Sequence, residues 1–245
     1  MFKNSLQTDK NTKYAGSSEL LSAESNLIRY NRDITNQIIK QTRNCIRVLE
    51  FGAGIGTLAS EYKGATGIKP ECVEIDTIQA ELIIDRGFIC YSSMDEIGAH
   101  IQYDAIYTSN VLEHIENDYD AISLLRKHLK PNGVLVIYVP AFMVLFSDLD
   151  KSVGHYRRYQ KKELIGKVLK NGLTVRECYY VDCIGFLAWL YVKYRGYNSE
   201  KHIDNDKKMR VYDSFIYPVS RFFDFIGFRY LFGKNIMLVA SNDNE

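Results

Sequence analysis

The chain has 245 residues, a formal net charge of +1 at pH 7, 46% hydrophobic residues and 25% charged residues. This composition is typical of one globular domain, and the balanced charge excludes a general attraction to nucleic acid or to an anionic surface. The apolar runs at residues 134–146 and 183–192 are shorter than the roughly 20 residues that span a bilayer. We therefore predict a cytoplasmic protein that does not bind nucleic acid.

The predicted elements alternate between helices and strands. A polar, flexible tail is expected at residues 1–18, and a helix follows over residues 19–42. Strands are predicted at residues 46–51, 71–75, 88–91, 104–109, 134–139, 174–181 and 236–240. Further helices are predicted from Gly56 onward, at residues 77–85, 118–129 and 161–170, and in an aromatic-rich insertion at residues 183–234. The alternation predicts one α/β domain over residues 1–245, with a mostly parallel seven-stranded sheet and helices on both faces.

The cysteines and histidines show no metal-binding spacing. None of the five cysteines forms a CxxC pair, and no histidine lies beside them at the spacing of a ligand. We therefore predict free thiols in a reducing compartment and no metal site.

A glycine-rich turn follows the first predicted strand. Gly52, Gly54 and Gly56 allow a sharp turn and a close approach of the backbone to a ligand. Thr57 stands where a dinucleotide-binding fingerprint carries its third glycine, which argues against a pyrophosphate site. The turn therefore predicts a nucleotide-like ligand and disfavours a nicotinamide-dependent reductase.

An acidic residue ends the second predicted strand. Glu74 lies 22 positions after Gly52, and Asp76 follows it. A carboxylate at this place can accept hydrogen bonds from both hydroxyl groups of a ribose. Since NAD-dependent enzymes use the same arrangement, Glu74 supports a ribose without identifying the cofactor.

Three segments, in this order, resemble the motifs of class I S-adenosylmethionine (SAM) methyltransferases. Residues 48–56 (VLEFGAGIG) resemble motif I, residues 109–115 (SNVLEHI) the segment after the fourth strand, and residues 129–135 (LKPNGVL) the turn before the fifth. The resemblance covers about residues 26–182. It implies a Rossmann-like fold and SAM as the cofactor.

The resemblance also implies roles for single residues. Glu50 would hold the methionine amino group, directly or through water, Glu74 the ribose, and Ser93 and Met94 would flank the adenine. A carboxylate suits the cationic amino group, and a polarisable side chain suits the adenine face. Tyr30 is expected either to close over the methionine end or to belong to the core. The expected cofactor-binding residues are Tyr30, Glu50, Gly52, Ala53, Gly54, Gly56, Glu74, Ile75, Asp76, Ser93, Met94, Asn110, Val111, Leu112 and Ile115.

Further segments resemble a bacterial subgroup associated with glycosyltransferases and cell-envelope polysaccharide synthesis. They are residues 30–32 (YNR), 154–159 (GHYRRY) and 232–235 (FGKN). The resemblance to ubiquinone-type O-methyltransferases is more distant. This subgroup implies a small-molecule, sugar or lipid-linked acceptor.

His155 is the candidate catalytic base, because it lies in a loop after the fifth strand and imidazole titrates near neutral pH. Arg157 and Arg158 are expected to hold a phosphate or carboxylate of the acceptor, together with Tyr156 and His114. The alternative is a hydrogen-bonded cluster that stabilises the loop. His114 is expected to line the cofactor or to be structural rather than catalytic.

The insertion has three possible roles: a lid over the acceptor, a peripheral membrane contact through residues 183–232 at the inner membrane face, or ordinary core packing and a homodimer interface. The last is slightly favoured. A catalytically inactive cofactor-binding module is the alternative function, although the intact glycines argue against it.

Overall fold

A computed structural model describes residues 17–195 and 202–243. Residues 1–16 of the predicted tail, and residues 196–201 of the insertion, lie outside this range. The ten helices of the described ranges are α1 Ser17–Asn26, α2 Ile28–Gln41, α3 Thr57–Thr66, α4 Thr77–Asp85, α5 Asp118–Lys127, α6 Asp148–Ser152, α7 Lys161–Lys170, α8 Cys183–Arg195, α9 His202–Val211 and α10 Tyr217–Phe225. The strands are β1 Val48–Phe51, β2 Glu71–Val73, β3 Cys90–Tyr91, β4 Tyr103–Ser109, β5 Leu129–Pro140, β6 Thr174–Val181 and β7 Asn235–Ser241.

The seven strands form one sheet in the order β3-β2-β1-β4-β5-β7-β6. All neighbours are parallel except β7, which runs antiparallel to β5 and β6. The order reverses between β1 and β4, so a crevice opens at the carboxyl ends of these strands, where ligands bind in such sheets. The predicted α/β architecture is confirmed.

Helices cover both faces of the sheet. Because successive strand residues point to opposite faces, Ile106 and Tyr107 of β4 enter different cores. Tyr107 packs with Ile34 of α2 and stacks on Tyr62 of α3, while Leu125 of α5 belongs to the cluster around Ile106. All five side chains are almost fully buried, and together they fix the sheet between its two helix layers.

The single helix predicted at residues 19–42 is wrong, because α1 and α2 are separate helices. Leu27 breaks them with backbone angles of φ −111° and ψ 49°. The Asp213 carboxylate accepts hydrogen bonds from the backbone N–H groups of Arg29 (3.0 Å) and Tyr30 (2.9 Å). It therefore caps α2 from the insertion, a long-range contact that local sequence patterns do not reveal.

Two other boundaries differ from the prediction. Strand β5 begins at Leu129, so residues 130–133 form an irregularity within a strand instead of a turn before it. Its register against β4 shifts between Tyr103 and Ala105, and Asn132 takes a left-handed φ of 63°. The short helix α6 was not predicted, although Ser147 and Asp150 form a capping box at its start.

The described part of the insertion is helical. A π-helical segment, Tyr212–Ile216, joins α9 to α10. The inner side of α10 packs on the rest of the domain through Tyr217 and Asp224, both nearly inaccessible to solvent. Among the described helices, none combines the length and the apolar composition that crossing a membrane requires.

Candidate functional site

The glycine turn lies under the end of β2. The N–H groups of Gly52 and Ala53 donate to the Val73 carbonyl oxygen at 2.9 and 3.0 Å. Gly52 has a φ of 73°, and a Cβ atom added there would lie 2.3 Å from Cγ2 of Val111. The turn therefore requires glycine for two reasons, its left-handed backbone and the close approach of the segment after β4.

Glu74 closes the other side of the turn. Its carboxylate accepts hydrogen bonds from the Gly54 N–H at 2.7 Å and the Asp76 N–H at 3.0 Å. Burial raises its pKa above the ordinary value. The Ile75 backbone also donates to this carboxylate, whose remaining lone-pair capacity is available for ribose hydroxyls. Asp76 itself caps α4 by accepting from the N–H groups of Ile78 and Gln79, which gives it a structural role.

Glu50 is buried below the turn. Only 2% of the residue is exposed, and its carboxylate accepts a hydrogen bond from the Tyr107 hydroxyl at 3.0 Å. Burial raises its pKa to about 8. Contact with the cationic methionine amino group would favour the ionised carboxylate of Glu50, although burying that charge is costly. The role of Glu50 stays a prediction.

The remaining predicted cofactor residues surround the same crevice to different extents. Ile75 is largely exposed, while Met94 is buried against the core. Asn110 ends β4 with a φ of 53° and an exposed side chain. Leu112 is fully buried in the core, and Ile115 is partly buried against the same core cluster. Ala53 and Gly56 lie in the glycine turn, and Ser93 directly precedes a 3-10 turn, Met94–Glu96.

Tyr30 belongs to the core. Its hydroxyl lies 3.0 Å from the Tyr138 hydroxyl and accepts a hydrogen bond from the Asn235 amide at 2.9 Å. The Lys234 ammonium lies 5.0 Å from its ring centroid. These contacts favour a core role for Tyr30 over closure on the methionine end of the cofactor.

Helix α1 covers the glycine turn. A Cβ added at Gly54 would lie 3.4 Å from Cδ1 of Leu20. The Glu24 carboxylate accepts hydrogen bonds from the Arg86 guanidinium at 2.6 and 2.9 Å and from the Thr57 hydroxyl at 3.0 Å. The first described helix is therefore tied to both sides of the turn.

His155 is held by a buried carboxylate. Its Nδ1 lies 2.8 Å from Oδ1 of Asp150, which also accepts from the Arg158 Nε at 2.8 Å and, through Oδ2, from the Ser147 N–H at 2.8 Å. Although burial alone would raise the pKa of Asp150, the hydrogen bonds from His155 and Arg158 lower it to about 2. An ionised Asp150 can only accept a hydrogen bond, so it favours the tautomer with the hydrogen on Nδ1 of His155 and the free lone pair on Nε2.

Glu113 and His114 complete this cluster. The rings of His114 and His155 meet edge to face with centroids 4.5 Å apart, and Nε2 of His155 lies 4.0 Å from Oε1 of Glu113. Burial and the neighbouring His155 lower the pKa of His114 to about 4, and burial raises that of Glu113 to about 8. The segment 111–114 thus joins the glycine turn, through Val111, to His155.

The arginines have protein partners. Arg157 lies 3.0 Å from the Asp118 carboxylate and donates to the Glu116 carbonyl oxygen at 2.7 Å, and Arg158 is bound to Asp150. These contacts favour the alternative in which the 154–159 segment stabilises a loop. Tyr156 is more than half exposed, and only its backbone N–H contacts the cluster, through the carbonyl oxygen of Glu113.

Sequence reasoning missed Asp150 and Glu113. The signal for Asp150 was its position three residues after Ser147, the spacing of a capping box. Asp150 and Glu113 are both nearly inaccessible to solvent in the structure. Glu113 lies inside the recognised 109–115 segment but was assigned no role.

Relatives of known sequence share part of the chain. A family model described as "Methyltransferase domain" matches residues 23–178. The ubiquinone biosynthesis O-methyltransferase of Rickettsia canadensis (strain McKiel) is 26% identical over 151 residues, which cover 54% of this chain and 64% of that protein. That of Rickettsia conorii (strain ATCC VR-613 / Malish 7) is 32% identical over 98 residues, 38% of this chain and 34% of that protein. The chain thus spans less than two thirds of the curated relatives it matches.

Solved structures share the fold. A SAM-dependent methyltransferase from Archaeoglobus fulgidus has a TM-score of 0.60 and 16% identity, with 91% of this chain and 99% of that chain covered. Phosphoethanolamine N-methyltransferase 2 of Haemonchus contortus, in complex with SAM, has a TM-score of 0.62 and 16% identity, covering 96% of this chain and 59% of that chain. The chain therefore belongs to the methyltransferase domain family, and it shares its fold with SAM-dependent methyltransferases of known structure.

Proposed function

We propose that the protein transfers a methyl group from SAM to a hydroxyl group of a small-molecule, sugar or lipid-linked acceptor. The observation that carries the proposal is the buried Asp150–His155 pair beside the segment 111–114, which also borders the glycine turn. SAM, when bound, supplies an electrophilic methyl carbon on a sulfonium group. The crevice fits it, because Gly52 and Gly54 leave room for the ligand and Glu74 can accept its ribose hydroxyls.

His155 would accept the proton of the acceptor hydroxyl at Nε2. The ionised Asp150, bound to Nδ1 at 2.8 Å, would stabilise the imidazolium that forms. The new C–O bond then replaces the C–S bond, whose electron pair stays on the departing sulfur. Positioning the oxygen ~3 Å from the methyl carbon, in line with the sulfur, supplies much of the remaining rate enhancement.

The nature of the acceptor rests on two kinds of support. The two Rickettsia relatives are named as O-methyltransferases of ubiquinone biosynthesis, which favours an oxygen acceptor on an apolar molecule. Aromatic contacts also run from Phe142, just beyond β5, through Phe186 and Phe232 to Phe228 in the insertion. Rings in such a series provide an apolar path for the tail of a lipid-linked acceptor.

The outer face of the insertion supports a membrane-bound source for this acceptor. An apolar stripe is formed by Val211, Phe215, Val219, Phe222 and Ile226, which recur every three or four residues and are 46–71% exposed. A helix with such a stripe can lie in a membrane interface. We therefore include a peripheral position at the inner membrane face in the proposal, with a homodimer through the same stripe as the alternative.

The test is transfer of a labelled methyl group from SAM to an acceptor in an extract of the source cells. We expect His155→Ala to lower kcat by about 10²–10⁴-fold while the Kd of SAM stays unchanged. His100→Ala is the matched control, since His100 is an exposed histidine outside the cluster. Tight SAM binding with no methylated product in any extract would favour the inactive cofactor-binding module instead.

A further inference from the structure

Three side chains beside the proposed acceptor site converge on one point. Glu113, His114 and His155 each offer one ligand atom, and these atoms all lie within 4.8 Å of one another. Glu113 is fully buried, and neither of its carboxylate oxygens has a hydrogen-bond partner among the residues that the structure describes. Burying a carboxyl group without a hydrogen-bond partner is energetically unfavourable, which favours a further component in this cluster.

Both imidazole rings are held in place by hydrogen bonds to groups outside the cluster of three. Nδ1 of His155 is bound to the Asp150 carboxylate at 2.8 Å. The His114 ring is hydrogen-bonded to the backbone around Val153 and Gly154, and its Nδ1 would lie 4.0 Å from a Cβ at Gly154. Histidines that bind metals are oriented in this way, by a carboxylate or a backbone carbonyl on the second nitrogen.

We infer that Glu113, His114 and His155 bind one divalent transition-metal ion of the zinc class, with an open coordination position that takes the oxygen of the acceptor. Two imidazole nitrogens and one carboxylate oxygen suit Zn²⁺ and its neighbours, whereas Mg²⁺ and Ca²⁺ prefer oxygen ligands. Three protein ligands and one open position are the arrangement of catalytic zinc sites.

The geometry needs only a small adjustment. At Zn–N distances of ~2.0–2.1 Å, ligand atoms in a tetrahedron lie about 3.3 Å apart. Nε2 of His155 and Oε1 of Glu113 are 4.0 Å apart, and the widest separation in the set is below 4.8 Å. Side-chain rotations that move the ligand atoms by about 1 Å would therefore bring them to the separations of a tetrahedral site. The sequence predicted no metal site because His155 lies far along the chain from Glu113 and His114.

The second half of this inference rests on the proposed function. An acceptor hydroxyl bound to the ion becomes more acidic and loses its proton to solvent. The resulting alkoxide attacks the methyl carbon, a C–O bond forms, the C–S bond breaks, and the electron pair remains on sulfur as a neutral thioether. With the ion bound, His155 serves as a ligand and solvent takes the proton that the imidazole would otherwise accept.

The first experiment measures binding without turnover. The full chain is stripped with a chelator, and Zn²⁺ and Co²⁺ are titrated by calorimetry, with Mg²⁺ as a comparison. We expect one ion per chain, no heat with Mg²⁺, and a Co²⁺ spectrum without thiolate charge-transfer bands, which separates this site from the five free cysteines.

Substitutions then assign the ligands. Glu113→Gln, His114→Ala and His155→Ala should each weaken Zn²⁺ binding at least 100-fold, and Asp150→Asn about 10–100-fold because it removes the orienting carboxylate. His100→Ala should bind Zn²⁺ as the unchanged protein does. Thermal unfolding in chelator checks that each variant folds.

The outcomes separate the inference from the proposed function. Failure of Zn²⁺ and Co²⁺ to bind the folded protein, or equal binding by all three ligand variants, overturns the metal site. Methyl transfer that persists in the metal-free protein then leaves His155 as the base. Binding of one Zn²⁺ per chain that is lost when Glu113, His114 or His155 is replaced, without any methyl transfer, upholds the metal site and counts against the proposed function.

Discussion

Replacing Gly52 with alanine perturbs the glycine turn by a known distance. The new methyl group would lie 2.3 Å from Cγ2 of Val111, about 1.2 Å short of the ~3.5 Å at which carbon atoms touch. Gly52 also has a left-handed φ of 73°. We therefore expect backbone strain of about 1–2 kcal/mol and an overpacking cost of about 1–3 kcal/mol in the free energy of unfolding.

Two further variants separate these contributions. Gly67 has a φ of 76° but no atom within 4 Å of an added Cβ, so Gly67→Ala reports the backbone strain alone. The double variant Gly52→Ala/Val111→Ala removes the contacts at 2.3 and 2.8 Å, leaves one at 3.1 Å to the Cβ of residue 111, and keeps the backbone strain. We expect Gly52→Ala to be the least stable of the three, and the double variant to regain part of the loss.

The assays are urea denaturation for stability and calorimetry for the Kd of SAM. Gly52→Ala should weaken SAM binding at least tenfold, because relief of the clash displaces Val111 or the turn, and Gly67→Ala should leave the Kd unchanged. If Gly52→Ala binds SAM normally and loses no more stability than Gly67→Ala, the close approach of Val111 does not determine the shape of the turn.

Three other predictions concern the charged and apolar groups of the protein. Asp150→Asn should lower the free energy of unfolding by about 3–5 kcal/mol, because it leaves the buried Arg158 without its counter-ion, and should lower kcat while the Kd of SAM is kept. In the unchanged protein burial raises the pKa of Glu50 from 4.5 to about 8, so the fold favours the neutral carboxyl group. The stability that this group contributes is therefore full below pH 4.5 and is lost as the pH rises to about 8. Glu50→Gln removes this pH dependence of stability. Between pH 4.5 and about 8, the free energy of unfolding of Glu50→Gln relative to that of the unchanged protein should rise by up to ~1.4 kcal/mol per pH unit. Phe222→Ser should reduce binding to anionic lipid vesicles at least tenfold, since burying a phenylalanine is worth about 1.5–3 kcal/mol.

Each of these predictions has a clear contrary result. Unchanged turnover of Asp150→Asn would show that His155 needs no orienting carboxylate. Parallel stability curves for Glu50→Gln and the unchanged protein would show that Glu50 ionises normally in the fold. For the apolar stripe, Leu169→Ser is the control because Leu169 is exposed on α7, outside the insertion. Vesicle binding that survives Phe222→Ser, or a Phe222→Ser variant that turns a dimer into a monomer, would favour the homodimer.

The sequence predicted the sheet well because its signals were local. Most of the strands contain a short run of apolar residues. The glycine turn and Glu74 follow strands whose ends must meet in a parallel sheet. The role of Asp213 as the cap of α2 could not be predicted, since its partners, Arg29 and Tyr30, lie at the other end of the chain.

The acceptor side was predicted less completely for the same reason. His155 could be proposed from its residue type, but its partner Asp150 looked like part of a short polar loop. Arg158 and Arg157 looked available for an anionic acceptor, whereas Asp150 and Asp118 bind them in the fold. Ion pairs form between residues that meet only after folding, so charge alone did not predict which arginine would be occupied.

The position of α1 over the glycine turn has a kinetic consequence. With SAM bound at the glycine turn as proposed, the spent cofactor would leave past α1, where Leu20 lies beside Gly54 and Glu24 pairs with Arg86. Leu27, whose backbone interrupts the two N-terminal helices, is the natural hinge for lifting α1 while the capped α2 stays in place. We expect cofactor residence time, rather than methyl transfer itself, to respond to ionic strength, because salt weakens an ion pair that is partly exposed.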